Sequence, residues 1–164
     1  MKRIVPLLGF FVAISWGQTP APTSAVELTV KLISGQTTQL GPQDLAKLAR
    51  VHVKGVAHDG KSHDYEGVSL CDVLVKAGAP AADALRGKEM ADYVVAEAAD
   101  GYKVVFSVTE LDPDFGNQRI IIADKADGQS RSAQEGPLRL VVPGDKRQAR
   151  WVRMLTTLTI ARAQ

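Results

Sequence analysis

Basic residues concentrate near the C-terminal end of the sequence, in the segment 136–153 with the sequence GPLRLVVPGDKRQARWVR. Leu138, Leu140 and Val142 alternate with two other residues, which predicts a short strand with one apolar face and one partly wetted face. Proline lacks an N–H group for a sheet ladder and glycine accepts turn conformations, so the strand should end in a turn. That turn would place four cations on a loop or short helix: Lys146, Arg147, Arg150 and Arg153.

This basic segment has the chemistry of an anion site. Guanidinium groups and the backbone N–H groups of a tight turn both donate hydrogen bonds to oxyanions. Composition alone favours a simpler interpretation, in which the segment is a solvated basic loop that binds nothing. The position of the segment among the other elements of the fold distinguishes the two interpretations. Trp151 is typical of a core residue here, whereas an exposed tryptophan would mark a protein interface.

Cys71 is the only cysteine of the 164-residue chain, which excludes an internal disulfide. It lies within a predicted helix, between Leu70 and Val73. A thiolate that binds a metal needs an exposed, electropositive environment, whereas this position is typical of a small buried apolar residue. The sequence therefore favours a structural role for Cys71.

Histidines and aspartates offer two further metal hypotheses. His52, His58 and His63 surround a predicted hairpin turn and could bind zinc or copper, but their spacing fits no established metal motif, and exposed surface histidines are the favoured interpretation. Four aspartates lack the order of a calcium-binding loop, so we expect them to be solvated loop residues: Asp112, Asp114, Asp124 and Asp127. No G-x-S-x-G motif supports serine hydrolysis.

The N-terminal residues have the features of a secretory signal peptide. A short positive region precedes an apolar run at 4–14, and small residues at Ser15 and Gly17 suit a cleavage site. The alternative is a membrane anchor, but the run is shorter than the ~20 residues that a spanning helix needs. We therefore expect a signal peptide at 1–17, a disordered tether at 18–25, and a periplasmic or secreted protein without a membrane span after cleavage.

The charge of the mature chain argues against a nucleic-acid partner. Loss of Lys2 and Arg3 would leave 18 basic residues, which equals the 18 acidic residues. Binding to nucleic acid needs a strong positive field, and this chain has only a local one.

Strand patterns outnumber helix patterns along the rest of the chain. Alternating apolar residues predict most of the strands, Asp59-Gly60 and Asp100-Gly101 predict two hairpin turns, and helical spacing with a Ser69 N-cap predicts a helix over 67–78. The predicted strands are 26–33, 37–40, 51–56, 61–65, 93–96, 102–108, 120–123, 138–142 and 158–161, the other helices are 42–50 and 81–90, and 124–136 is a predicted loop. Hairpin-linked strands with short helices predict a single α+β domain over 26–164, built from mixed β-sheets rather than a doubly wound fold.

The order of four motifs resembles the molybdopterin-binding domain of the sulfite oxidase family. The motifs are YEGVSLCDVL at 65–74 with the following Ala77-Gly78, DGY at 100–102, GPLRLVVPGD at 136–145 and ARWVR at 149–153. The resemblance covers nearly the whole mature chain, and the last block is its specific part, whereas the other blocks are suggestive only in this order. It implies the sulfite-oxidase fold and, in active members, a molybdenum pterin cofactor whose metal is bound by one cysteine thiolate. By position, it implies that Arg139, Arg150 and Arg153 lie beside the cofactor.

The sequence departs from this family in two ways. The family's metal-binding cysteine precedes the helix, but the corresponding region 48–59 contains no cysteine. Gln148 stands where the family commonly has glycine, so a backbone approach to phosphate is less favoured. We therefore expect an exported, non-catalytic domain that binds an anion, such as a pterin phosphate, or an envelope protein partner at the basic loop. The alternative is a minimal molybdopterin-dependent oxidoreductase, with the metal held by the pterin alone or by Cys71.

Overall fold

The computed structural model describes residues 27–132 and 135–164. The predicted signal peptide and tether lie outside these residues. None of the helices within the described residues has the length and apolar character needed to cross a membrane.

The described residues form ten strands and three short α-helices. In chain order they are β1 Leu28–Lys31, β2 Thr37–Leu40, α1 Pro42–Leu45, β3 Arg50–Val56, β4 Ser62–Ser69, α2 Leu70–Lys76, β5 Asp92–Ala98, β6 Lys103–Ser107, α3 Val108–Leu111, β7 Ile121–Ala126, β8 Gln129–Ser130, β9 Arg139–Val141 and β10 Leu155–Arg162. Three 3₁₀ helices lie between them, at Ala82–Ala84, Gly87–Ala91 and Gln148–Arg150.

The strands make two sheets. The first has the order β2-β1-β10-β5-β6, in which β1 and β10 are parallel and the other pairs are antiparallel. The second has the order β3-β4-β7-β8, and β9 pairs with β7. Parallel and antiparallel pairs within one domain that has only short helices confirm the predicted α+β class with mixed sheets.

A single apolar core joins the two sheets. Leu28, Val94 and Leu158 contribute from the first sheet, and Val68 and Ile122 from the second, each at most 1% exposed. Burial of a side chain of this size stabilises the fold by roughly 1.5–3 kcal/mol. Because the chain has a single cysteine and no internal disulfide, the stability of the fold depends on this packing.

Local signals located most elements correctly, but two of the three predicted helices, 42–50 and 81–90, do not form as predicted. The hydroxyl of Ser69 accepts a hydrogen bond from the N–H of Asp72 at 3.4 Å, as an N-cap should, and both predicted hairpins form. The helix predicted over 42–50 ends at Leu45, and the segment 81–90 holds only two 3₁₀ turns. The predicted loop 124–136 contains the end of β7 and the short strand β8, because the β4–β7 pairing extends to Ala126.

Strand β9 is more deeply buried than its alternation predicted. The alternation predicts that Val141 lies on the partly wetted face of the strand, yet its side chain is fully buried, as are those of Leu140 and Val142. The strand is also an interior one, with backbone partners on both edges: β7 on one side, and on the other the segment leading into β10. Across that second edge, the N–H of Leu140 donates to the carbonyl of Val152 at 2.8 Å.

Gly67 lies where β4 and β7 approach each other most closely. The pairing register shifts between Glu66 and Gly67, and a Cβ atom at Gly67 would lie 2.0 Å from the carbonyl oxygen of Ile122. That atom belongs to a paired backbone, so it cannot move aside without loss of the ladder. A side chain at this position is therefore excluded by the fold.

We expect Gly67→Ala to lower the free energy of unfolding by about 3 kcal/mol, because an overpacked site must displace strand backbone. Urea denaturation of the purified protein measures the change. The control is Gly144→Ala, whose Cβ would meet only the end of the Gln118 side chain, at 3.4 Å. Equal stability of the two variants would contradict the close β4–β7 approach.

Candidate functional site

A large open cleft of about 1270 Å³ lies at one end of the second sheet. Its walls come from the β3–β4 turn, the β5–β6 turn, the segment after β8 and the loop that follows β9. Seven basic or histidine side chains line it: His58, His63, Arg131, Arg139, Lys146, Arg147 and Arg153. Four carboxylates line the cleft as well, those of Asp59, Asp100, Glu135 and Asp145, so the lining is mixed with a small excess of basic side chains.

Trp151 and Tyr65 form the base of the cleft. Trp151 is 5% exposed, and its indole N–H donates to the carbonyl of Val142 at 2.9 Å. The rings of the two residues meet edge to face at 5.4 Å between centroids. The indole fills the space above Gly55, where a Cβ would lie 2.4 Å from the ring. Trp151 is thus a core residue whose face borders the cleft, and it does not mark an exposed interface.

Arg139 extends from β9 across these rings. Its guanidinium carbon lies 5.2 Å from the centroid of Trp151 and 5.9 Å from that of Tyr65, within the range of cation–π attraction. Its Nε is buried without a hydrogen-bond partner in the part of the chain that the structure describes. Burial, with some repulsion from Arg131 and Arg153, lowers the pKa of Arg139. A buried donor without a partner is costly.

Arg131 is a further cleft cation, and sequence reasoning missed it. It follows β8 in a segment predicted as an irregular loop, which carried no signal of burial. Its side chain is only 3% exposed, its Nη2 donates to Glu135 at 3.2 Å, and its Nε is buried and unpaired among residues 27–132 and 135–164. The two arginines thus share one unusual feature, an unsatisfied guanidinium donor beside the same cleft.

Arg150, which the sequence placed in the anion site with Arg139 and Arg153, is turned toward other partners. Its guanidinium makes a two-point contact with Asp145, at 2.9 and 2.7 Å, and a weaker one with Glu110 at 3.4 Å. These contacts, the Asp145 hydrogen bond above all, raise the pKa of Arg150. Arg150 does not line the cleft, whereas Arg139 and Arg153 do. Arg150 stabilises the conformation of the loop, because its partner Asp145 lies in the turn after β9.

Two further contacts hold this loop across the cleft. The side-chain amide of Gln148 donates to the carbonyl of Val56 on the β3–β4 hairpin, and the hydroxyl of Tyr102 donates to the carbonyl of Ala149. Gln148 therefore ties two walls of the cleft together.

His63 joins two hairpins at the rim of the cleft. Its Nδ1 lies 2.6 Å from Asp127 and its Nε2 lies 3.3 Å from Asp59. Hydrogen bonds to Asp127 first, and then to Asp59, raise the pKa of His63, and the pKa of each carboxyl is lowered. His63 and the two carboxylates therefore form a clamp between the hairpins, whereas the sequence favoured an unpaired surface histidine at this position.

Metal ligands do not gather around these groups. The described residues contain no cluster of three or more His, Cys, Asp or Glu side chains that could hold a metal. Three of the four aspartates expected to be solvated have structural partners: Asp112 is buried and accepts from the N–H groups of Ala82 and Asp114, Asp124 pairs with Arg50, and Asp127 pairs with His63. Asp114 is exposed, as expected.

Cys71 lies outside the cleft. It is half-buried in α2 and packs against the core. Burial, and then the nearby Asp112, raises the pKa of its thiol to about 11. The group is therefore a neutral thiol near pH 7, in agreement with its predicted structural role.

The clamp makes stability depend on pH. The folded pKa of His63 is raised above the unfolded value of about 6.5, so its contribution is full below pH 6.5 and is lost as the pH rises through the folded pKa. The lowered carboxyl pKa values act oppositely: their contribution is present above about pH 4 and is lost in stronger acid.

We therefore expect His63→Gln to destabilise the protein more at pH 5.5 than at pH 9, measured by urea denaturation at both values. His58→Gln is the control, because His58 lies on the same hairpin and makes no ion pair within the described residues. A difference that does not change with pH would contradict the clamp.

Comparison with known proteins extends these observations. The chain shares its fold with a chain from the crystal structure of the sulfane dehydrogenase SoxCD from Paracoccus pantotrophus, with a TM-score of 0.61 and 21% sequence identity. The match covers 82% of this chain and 37% of the other, so this chain spans little more than a third of that protein's length. No curated protein sequence matches the chain.

The family assignment follows from a match that covers most of the chain. The model of the oxidoreductase molybdopterin binding domain matches residues 18–164, which include both sheets and every residue of the cleft. The sulfite-oxidase-like fold expected from the order of motifs is thereby confirmed. The chain belongs to the family of the oxidoreductase molybdopterin binding domain.

Proposed function

We propose that this domain binds a small anionic ligand in its basic cleft and does not itself catalyse a redox reaction. The observation that carries the proposal is the state of Arg139, whose Nε is buried without a partner among the described residues beside an open cleft. A fold normally satisfies such a donor. Arg139 also lines the cleft, so an oxyanion there would supply the opposite charge to its guanidinium.

The neighbouring groups support an anion rather than a neutral ligand. Arg153 also lines the cleft, is exposed, and makes no hydrogen bond or ion pair with the described residues. Arg139 and Arg153 repel each other, which contributes to the lowered pKa of Arg139. An anion between them would replace that repulsion by two attractive, charge-assisted contacts.

Tyr65 adds a hydroxyl donor at the base of the cleft. Burial raises the pKa of its phenol, so the hydroxyl remains protonated at neutral pH. Both rings of Tyr65 and Trp151 are almost fully buried, and the Arg139 guanidinium lies over them, so the cleft offers charge and a hydroxyl rather than a free aromatic face. The phosphate of a ligand such as a pterin phosphate therefore fits the lining.

The lining does not fit a metal bound in the manner of active family members. The resemblance implies a cysteine thiolate at the metal, and the only cysteine of the chain lies in α2, outside the cleft, as a neutral thiol. The phosphate of such a cofactor fits the cleft, but its metal has no thiolate to bind. We derive no catalytic step for this reason.

We expect the purified protein to bind inorganic phosphate, measured by isothermal titration calorimetry at low ionic strength. Arg139→Gln should weaken binding by about tenfold or more, since a charge-assisted hydrogen bond contributes roughly 1.5–3 kcal/mol. Arg153→Gln should weaken it less, because its side chain is exposed and its contacts are screened by water and salt.

Arg86→Gln is the control for this experiment, because Arg86 is exposed and lies outside the cleft. Arg150→Gln separates two roles for the residue that the sequence placed in the site. Loss of stability with little change in binding fits the contacts of Arg150 with Asp145 and Glu110, whereas loss of binding alone would support direct contact with the ligand. Equal phosphate affinity of the wild type and Arg139→Gln would contradict the proposal.

A second candidate is a minimal molybdopterin-dependent oxidoreductase, and family membership favours it. It predicts molybdenum in a 1:1 ratio with protein purified from a host that makes the cofactor, together with sulfite oxidation or sulfoxide reduction. The non-catalytic proposal predicts neither. Elemental analysis with an assay of both reactions distinguishes the two, and Cys71→Ser serves as the control for metal binding through the thiol.

A further inference from the structure

Arg131 and Glu135 form a contact that the basic segment does not account for. The arginine side chain is 3% exposed, while that of Glu135 is 63% exposed, and the two meet at 3.2 Å between Nη2 and Oε2. The guanidinium is thus fixed in the wall of the cleft, whereas its carboxylate partner lies at the surface. Both residues line the cleft.

The backbone explains why Arg131 is fixed. Its N–H donates to the carbonyl of Asp124 at 3.0 Å, directly after the β7–β8 hairpin. The pairing of Lys125 with Ser130 holds that hairpin in register. The main chain of Arg131 is therefore tied to the sheet independently of Glu135.

One carboxylate does not balance the charges here. The charged groups that act on Arg139 are Arg131, Arg153 and Glu135. Two other carboxylates of the lining, Asp59 and Asp145, already pair with His63 and Arg150. The three guanidinium groups therefore face one carboxylate locally, and both buried Nε atoms lack partners among the described residues. A ligand group with two negative charges and several oxygen acceptors would match this local excess of positive charge better than a monoanion.

We propose that Arg131 is a specificity-determining residue of the cleft and that Glu135 is a built-in competitor, whose carboxylate must leave Arg131 before a dianionic oxyanion can bind. The inference rests on the proposed anion-binding function and adds to it a ligand class and a competing contact. The shared chemistry of the ligand is a dianionic tetrahedral group, found both in free phosphate and in a phosphate monoester.

The magnitude of the competition follows from the exposure of Glu135. A mostly exposed ion pair contributes at most about 1 kcal/mol, so its loss should tighten ligand binding roughly two- to fivefold. Arg131 itself is buried, and its loss should weaken binding of a dianion by about tenfold or more. Monoanions should be affected much less by either change.

The test is calorimetric titration at pH 8 with inorganic phosphate, a simple alkyl phosphate and, as a monoanion, nitrate. We expect Glu135→Gln to bind both phosphates more tightly than the wild type, and Arg131→Gln to bind them more weakly. The double variant should show no gain from the Glu135 change, because its effect requires the arginine. A higher affinity for the alkyl phosphate than for free phosphate identifies a monoester as the favoured source.

Two outcomes overturn the inference, and they differ in what else they overturn. Phosphate binding that depends on Arg139 but not on Arg131 or Glu135 removes this inference and leaves the anion site. Absence of phosphate binding by both the wild type and Glu135→Gln removes the anion site as well. Lys88→Gln controls for general charge effects, because Lys88 is exposed and lies outside the cleft, and circular dichroism confirms that each variant is folded.

Discussion

The structure depends on backbone pairing at both edges of β9. On one edge the strand pairs with β7, and on the other Leu140 and Leu138 bond to Val152 and Leu155. Buried backbone groups need partners, so these bonds fix β9 in the second sheet and tie it to the start of β10 in the first. The cationic loop leaves the end of β9 at Val142 and returns at Val152, which bonds to β9, so both ends of the loop are held in place. Arg139 lies within this frame, and so its position beside the cleft is set by the core.

The polar side chains near β9 and its loop divide into those that bond to other parts of the protein and those that keep a polar atom unpaired within the described part of the chain. Arg150, Gln148 and Tyr102 use their polar groups on other parts of the protein. Arg131 and Arg139 keep a buried nitrogen without a partner among the described residues. A guanidinium that is already paired contributes shape, whereas one that is unsatisfied can contribute affinity. Cations close together in the sequence therefore have different roles in the same loop.

Sequence patterns predicted what local chemistry determines. Alternation located the strands, Asp-Gly turns located both hairpins, and the Ser69 cap located the start of α2, since each depends on neighbours within a few residues. The helix predicted from 42 to 50 is much shorter in the structure, because tertiary context outweighs weak helical periodicity. The burial of Val141 and Arg131 also depends on partners distant in the chain. Their positions could not be derived from the residues beside them, and the same holds for the turn of Arg150 away from the cleft.

Because both ends of the loop after β9 are fixed, the loop between them can vary in sequence and length within the family fold. The chain leaves the frame at Val142 and returns at Val152, and the residues between them add little to the core, apart from Trp151. The entropy of closing such a loop grows slowly, by only about 0.6 kcal/mol for a doubling of length. Insertions and exchanges near Lys146 and Arg147 should thus be inexpensive for folding. The two sheets can therefore be kept while the size and charge preference of the cleft diverge between relatives.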